Sequence, residues 1–201
     1  MISPTVIPRL VLLWGFHAFF CFPWAIAQEA VIQPESNSKT TSRSGPARSA
    51  LLIGVSHYDA PLLKPLRYAE NDVFELGRIL KAADYDRVVV MTESLAKENA
   101  KTKLASEYKK HPLYPSAEHI EAQIKQIVGS ARPGDLLLIA FAGHGVQYTN
   151  SPGSYFCAAN ADIHPNRKTA LISLQDLYGQ LEECRASSKL LFVDACRNDP
   201  F

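Results

Sequence analysis

Four apolar runs of strand length, separated by stretches with helical periodicity, constrain this chain more than any other feature. Ala50-Leu51-Leu52-Ile53-Gly54-Val55, Val88 to Met91, Leu136 to Phe141 and Leu190 to Val193 are the runs, the last two within expected strands 136 to 142 and 189 to 195. Between them Val73, Leu76, Leu80 and Ala83 recur at helical spacing. So do Ile120, Ile124, Ile127 and Val128, and then Leu174, Leu177, Leu181 and Cys184. Arg132-Pro133-Gly134 stops the second helix, and Ser173 with Asp176 gives the third a capping-box start. A strand that is apolar throughout cannot leave one face in water, so the sheet must be covered on both sides. Helical crossovers between successive strands make that sheet parallel. The expected architecture is therefore α/β and three-layered, a mostly parallel sheet with helices on both faces. Ligands of such sheets bind outside the carboxyl ends of the strands.

A length of 201 residues allows one ordinary domain with appendages. Residues 1–27 read as a secretory signal peptide: Arg9 precedes the apolar stretch Leu10 to Phe22, and Ala25-Ile26-Ala27 offers a cleavage site. The apolar core is short for a membrane span, so no stable membrane insertion is expected after cleavage, an uncleaved anchor being the alternative. No lipid-attachment pattern precedes Cys21. The expected destination is periplasmic or extracellular. Residues 28–48, rich in Ser, Thr, Gln and Pro, read as a flexible linker, and 49–201 as the folded domain. The 21 Lys+Arg against 20 Asp+Glu give no electrostatic argument for a nucleic-acid partner. Beyond the signal remain Cys157, Cys184 and Cys196, an odd number that leaves a thiol unpaired. Cys157 and Cys184 could pair, although both suit buried apolar sites. Residues 94–117, with Lys97, Lys101, Lys103, Lys109 and Lys110 and with Leu104 and Tyr108 at helical spacing, look like an insertion. It reads either as a solvated surface helix or as a regulatory segment cut after a lysine.

The chemistry lies at two strand ends, in Ala142-Gly143-His144-Gly145 and Asp194-Ala195-Cys196-Arg197. A thiol attacks an amide only as thiolate, and His144 can take the proton of Cys196 and return it to a leaving amine. The flanking glycines let the backbone turn sharply and approach a substrate. The Gly145 and Cys196 amides would be natural oxyanion donors. Asp194 stands two residues before Cys196, on the same face of its strand. Asp72, in Glu70-Asn71-Asp72-Val73, lies at a helix start on the same edge and could instead be a helix N-cap. Two acids flanking one cleft favour Arg or Lys before the scissile bond. Gly54-Val55-Ser56-His57 lacks the spacing of a phosphate-cradling loop, which argues against a nucleotide-binding protein.

Leu51-Leu52-Ile53-Gly54, Tyr68-Ala69-Glu70-Asn71-Asp72-Val73, Phe141-Ala142-Gly143-His144-Gly145 and Asp194-Ala195-Cys196-Arg197 together resemble the caspase-like clan. The likeness is greatest to bacterial caspase-like proteins and paracaspases, then metacaspases, and it covers roughly residues 48 to 201. It implies a cysteine endopeptidase with His144 and Cys196 as dyad and Asp72 and Asp194 as acids of the specificity pocket. Caspases usually carry glutamine where this chain has Asp194, and cut after aspartate using arginines. Arg67 lies near one such arginine position. The family's sheet continues beyond the cysteine, so the chain as given is expected to be the large-subunit part, truncated after the fourth core strand. A homodimer partner or a separate small-subunit chain is then implied. The substrate is a polypeptide. No cofactor and no metal ligand set is expected, with a calcium requirement left open by the metacaspase likeness. The competing expectation is a non-catalytic interaction module or inactive fragment using the same edge to bind peptide.

Overall fold

The computed structural model describes residues 45–100, 105–149, 153–164 and 168–195. The expected signal peptide, the expected linker as far as residue 44, and Cys196 lie outside them. Four strands form a parallel sheet in the order β2-β1-β3-β7, with β1 Arg48–Gly54, β2 Arg87–Met91, β3 Leu136–Gly143 and β7 Ser188–Ala195. The expected α/β sheet with helices on both faces is the fold of the chain.

The period of two along each strand sorts the core. Ala50 and Leu52 of β1, with Leu138, Ala140 and Ala142 of β3, face helix α1, Ala69–Ala82, through Ala69, Val73 and Leu80. Leu51, Ile53, Leu137, Ile139 and Phe141 point the other way. They meet Ile120, Ile124 and Ile127 of α4, Ala117–Ser130, and Leu174, Leu177 and Leu181 of α5, Leu174–Glu183. Side-chain oxygens cap both of these helices: Ser116 Oγ accepts from the His119 amide and Ser173 Oγ from the Asp176 amide. The sequence-predicted start of the third helix is thus realised.

Gly54 shows how closely α1 crosses the sheet. A Cβ there would lie 2.6 Å from Val73 Cγ2 and 2.7 Å from the Ala69 carbonyl oxygen. A helix backbone cannot yield as a side-chain tip can. Gly54→Ala is therefore expected to destabilise the domain by about 1–3 kcal/mol, the usual cost of overpacking. Urea unfolding at equilibrium would measure it.

One element was not foreseen and one expectation needs correction. The stretch after His144 contains a second, antiparallel sheet, β4 Gly145–Gln147, β5 Ser154–Asp162 and β6 Thr169–Ser173. The sequence did not signal it because β4 is three residues long and β5 is rich in alanine, a weak strand former. The 94–117 stretch is also not one solvated surface helix. It holds two short helices, α2 Glu93–Asn99 and α3 Ala105–Tyr108, followed by a turn that buries Leu113 and Tyr114. Lys97 pairs with Glu93, Lys109 with Asp59 and Lys110 with Glu107. Leu104, Lys101 and Lys103 lie outside the described residues. Among the described residues no helix is long and apolar enough to cross a membrane.

Candidate active site

The carboxyl ends of three strands lie side by side: Gly54 of β1 is in register with Ala142 of β3, and Ala142 with Asp194 of β7. His144 follows in the break between β3 and β4, half-buried. Its carbonyl accepts from the Cys157 amide at 2.9 Å, the first bond of the antiparallel sheet, and its own amide donates to Tyr58 Oη at 2.7 Å. The imidazole Nε2 lies 2.8 Å from the main-chain carbonyl of Lys64. A carbonyl only accepts, so Nε2 carries the proton in this bond and Nδ1 keeps its lone pair. The ring is held as the tautomer a general base requires, with Nδ1 as the basic atom.

Asp194 continues the row of Leu190 and Phe192 on the α1 face of the sheet. Asp72 stands in the first turn of α1, close enough that the two carboxylates interact. Partial burial, and then the charge of Asp194, raise the Asp72 pKa above the ordinary carboxylate value. Asp72 is not the N-cap: that position is Tyr68, whose side chain makes no cap bond. As an acid in the first turn Asp72 complements the helix dipole, as Glu70 does. Arg67 is exposed, its guanidinium 6.0 Å from the centre of the Tyr68 ring.

Of the predicted site residues, His144, Gly145, Asp72 and Asp194 all stand at one edge of the sheet. Gly145, buried, opens β4 opposite Phe156. Cys196, two residues past Asp194 in the chain, lies outside the described residues, and its part in the site comes from the sequence reading alone. Cys157 and Cys184 are both free and buried, so the alternative of a disulfide between them is not realised. Burial pushes the Cys157 thiol up to about 12, which leaves it protonated and unreactive.

Sequence reading missed the groups that hold the histidine. Tyr58 is a single aromatic in a loop without periodicity, and a carbonyl such as that of Lys64 has no sequence signature at all. It also missed a polar cluster behind the loop. His57, Glu70 and Glu93 place one ligand atom each within 4.8 Å of one another, the arrangement that could hold a metal ion among the described residues. Their protein partners already occupy them. Glu70 accepts from the Glu93 amide and the Ser94 hydroxyl, while Glu93 takes Lys97, the Tyr108 hydroxyl and His57. Burial alone would raise Glu93, but the hydrogen bonds from Lys97 and Tyr108 and the charges of Lys97 and His57 outweigh it and hold it low.

No curated protein matches the chain significantly. A solved structure of a Geobacter sulfurreducens protein shares the fold, with a TM-score of 0.53 at 17% identity over 75% of this chain. The chain spans about half of that protein, 51% of its length. The family model described as the caspase domain, a peptidase family, matches residues 47–201 and so takes in both strand-end motifs. With that match over the parallel sheet and the histidine turn, the chain belongs to the caspase-domain family of peptidases.

Proposed function

We propose that this chain carries the catalytic part of a cysteine endopeptidase that cuts polypeptides after Arg or Lys. In this reading the Cys196 thiol gives its proton to His144 Nδ1, and the Sγ–C bond to the scissile carbonyl forms. The Gly145 and Cys196 amides stabilise the oxyanion. Collapse of the tetrahedral intermediate breaks the C–N bond as His144 returns the proton to the leaving amine. Water, deprotonated by the same histidine, then releases the acyl group from its thioester. Asp72 and Asp194 receive the basic side chain, a guanidinium or ammonium that relieves the repulsion between them. Neither acid was needed to cap α1 or to fill the core.

The single observation that supports the reading best is the Nε2 bond of His144 to the Lys64 carbonyl, which leaves Nδ1 basic at the strand edge. In the same reading residues 1–27 direct export and are removed on the way, and no cofactor takes part. The partners proposed with it are a second copy of the chain or a separate small-subunit chain.

The test is a panel of peptides ending in Arg, Lys or Asp, offered to the mature protein with and without calcium. Cys196→Ala is the control. Cleavage after Arg or Lys that the control lacks supports the reading. A folded protein that cleaves nothing points to a peptide-binding module instead. Asp194→Asn is expected to lower kcat/KM on Arg peptides roughly tenfold to a hundredfold, the worth of a charge-assisted hydrogen bond. It also removes a charge that raises Asp72, so Asp72 then ionises at lower pH. The acidic limb of kcat/KM should move down the pH scale in that variant. An unchanged limb would mean that Asp72 does not govern basic-substrate binding.

A further inference from the structure

We infer that Tyr58 is a positioning residue for His144, its hydroxyl setting the turn that aims the imidazole. This rests on the proposed role of His144 and adds a residue to it. Tyr58 Oη donates to the Val55 carbonyl at 3.1 Å and accepts the His144 amide at 2.7 Å. It therefore joins the exit of β1 to the turn after β3. The phenol ring also lies against the imidazole, with 5.1 Å between centroids. One loop thus holds His144 at both ends, the backbone through Tyr58 and the ring through the Lys64 carbonyl.

The space for the hydroxyl is made by a glycine. A Cβ on Gly143 would lie 2.9 Å from Tyr58 Oη and 2.9 Å from Phe156 Cε2. Glycine at 143 therefore admits the phenol oxygen to the histidine backbone. Burial holds the phenol pKa well above its ordinary value, so Oη keeps its proton for Val55 at any working pH.

Tyr58 is itself fixed from both sides. His57 Nδ1 meets Glu93 at 3.2 Å, and the Asp59 carboxylate pairs with Lys109. The Asp59 amide donates to the Ala159 carbonyl at 2.8 Å, and the Leu66 amide to the Ser56 carbonyl at 2.8 Å. A loop tied at so many points transmits position with little loss, which is what preorganisation demands.

Tyr58→Phe keeps the ring and removes only the oxygen. On the peptide that the parent cleaves best, kcat is expected to fall about ten- to a hundredfold with KM nearly unchanged. In the Cys196→Ala background, where no turnover occurs, the His144 amide should exchange faster with solvent. Its imidazole 15N shifts should move from a pure Nε2–H tautomer towards a mixture. Thermal unfolding monitored alongside confirms that both proteins are folded. Unchanged His144 spectra overturn the inference whatever kcat does, as does an unchanged kcat with altered spectra. If the parent cleaves no peptide, the peptidase reading fails on its own. The His144 spectra of the Cys196→Ala pair then decide by themselves whether the hydroxyl sets the turn.

Discussion

His144→Ala is expected to abolish peptidase activity, lowering kcat on the best peptide by about 10²–10⁴, the range that a positioned acid–base group contributes. The loss should fall on kcat, because the imidazole acts on the reacting thiol and leaving amine and not on the side chains that anchor the substrate. The fold should survive. The imidazole is half-buried at the sheet edge, and the backbone bonds of residue 144 to Tyr58 and Cys157 do not need its side chain. Kinetics on the purified variant, with circular dichroism as the fold control, would measure both. The double variant His144→Ala with Cys196→Ala should be no worse than either single one, since base and nucleophile act as a unit. A variant that kept more than a tenth of parental kcat would remove His144 from the chemistry.

Phe156→Ala is the core change with the largest expected cost. Phe156 is fully buried, packs 4.8 Å from Phe141 between ring centroids, and belongs to the larger core cluster. Truncating such a ring costs about 3–5 kcal/mol, a large share of the stability of a typical domain. For a chain of this size the melting temperature should fall by roughly 10 °C. Activity should fall even where the protein remains folded. Phe156 is in register with Gly145, and its ring closes the space beside Gly143, so it forms the floor of the histidine turn. Thermal unfolding with a parallel assay well below the new midpoint separates the two effects. A variant that lost stability but kept full kcat would show that the turn stands without its floor.

The parallel sheet was legible because Leu51, Ile53, Leu137 and Ile139 alternate with Ala50, Leu52, Leu138 and Ala140 in runs apolar on both faces. Such runs, joined by helical crossovers, fit a parallel sheet covered on both faces. The strand-end position of His144 and Asp194 followed from the same runs. The antiparallel sheet was not legible, since Ala158, Ala159 and Ala161 fit a helix as well as a strand, and only the pairing of Phe156 with Ile172 and Cys157 with Leu171 just before them decides. Residues 94–117 misled for another reason. Their described lysines reach solvent as the charge run suggested, but the same stretch breaks into two short helices and buries Tyr108, Leu113 and Tyr114, which the charge run concealed. The supports of His144 are contacts between a loop and a turn distant in sequence, and no local pattern encodes such contacts.

The loop between β1 and α1 has a consequence for how such a protein can diverge. Ser56, His57, Tyr58, Asp59 and the Lys64 carbonyl all lie within it, and none carries out bond chemistry in the proposed mechanism. Reactivity could therefore drift through substitutions in one short block of codons while the base and nucleophile stay constant. Because these residues lean on Glu70, Glu93, Lys109 and His144 outside the block, a change in the loop would cost less when its distant partner changes with it. In an engineered chimaera such a segment would have to travel together with those partners.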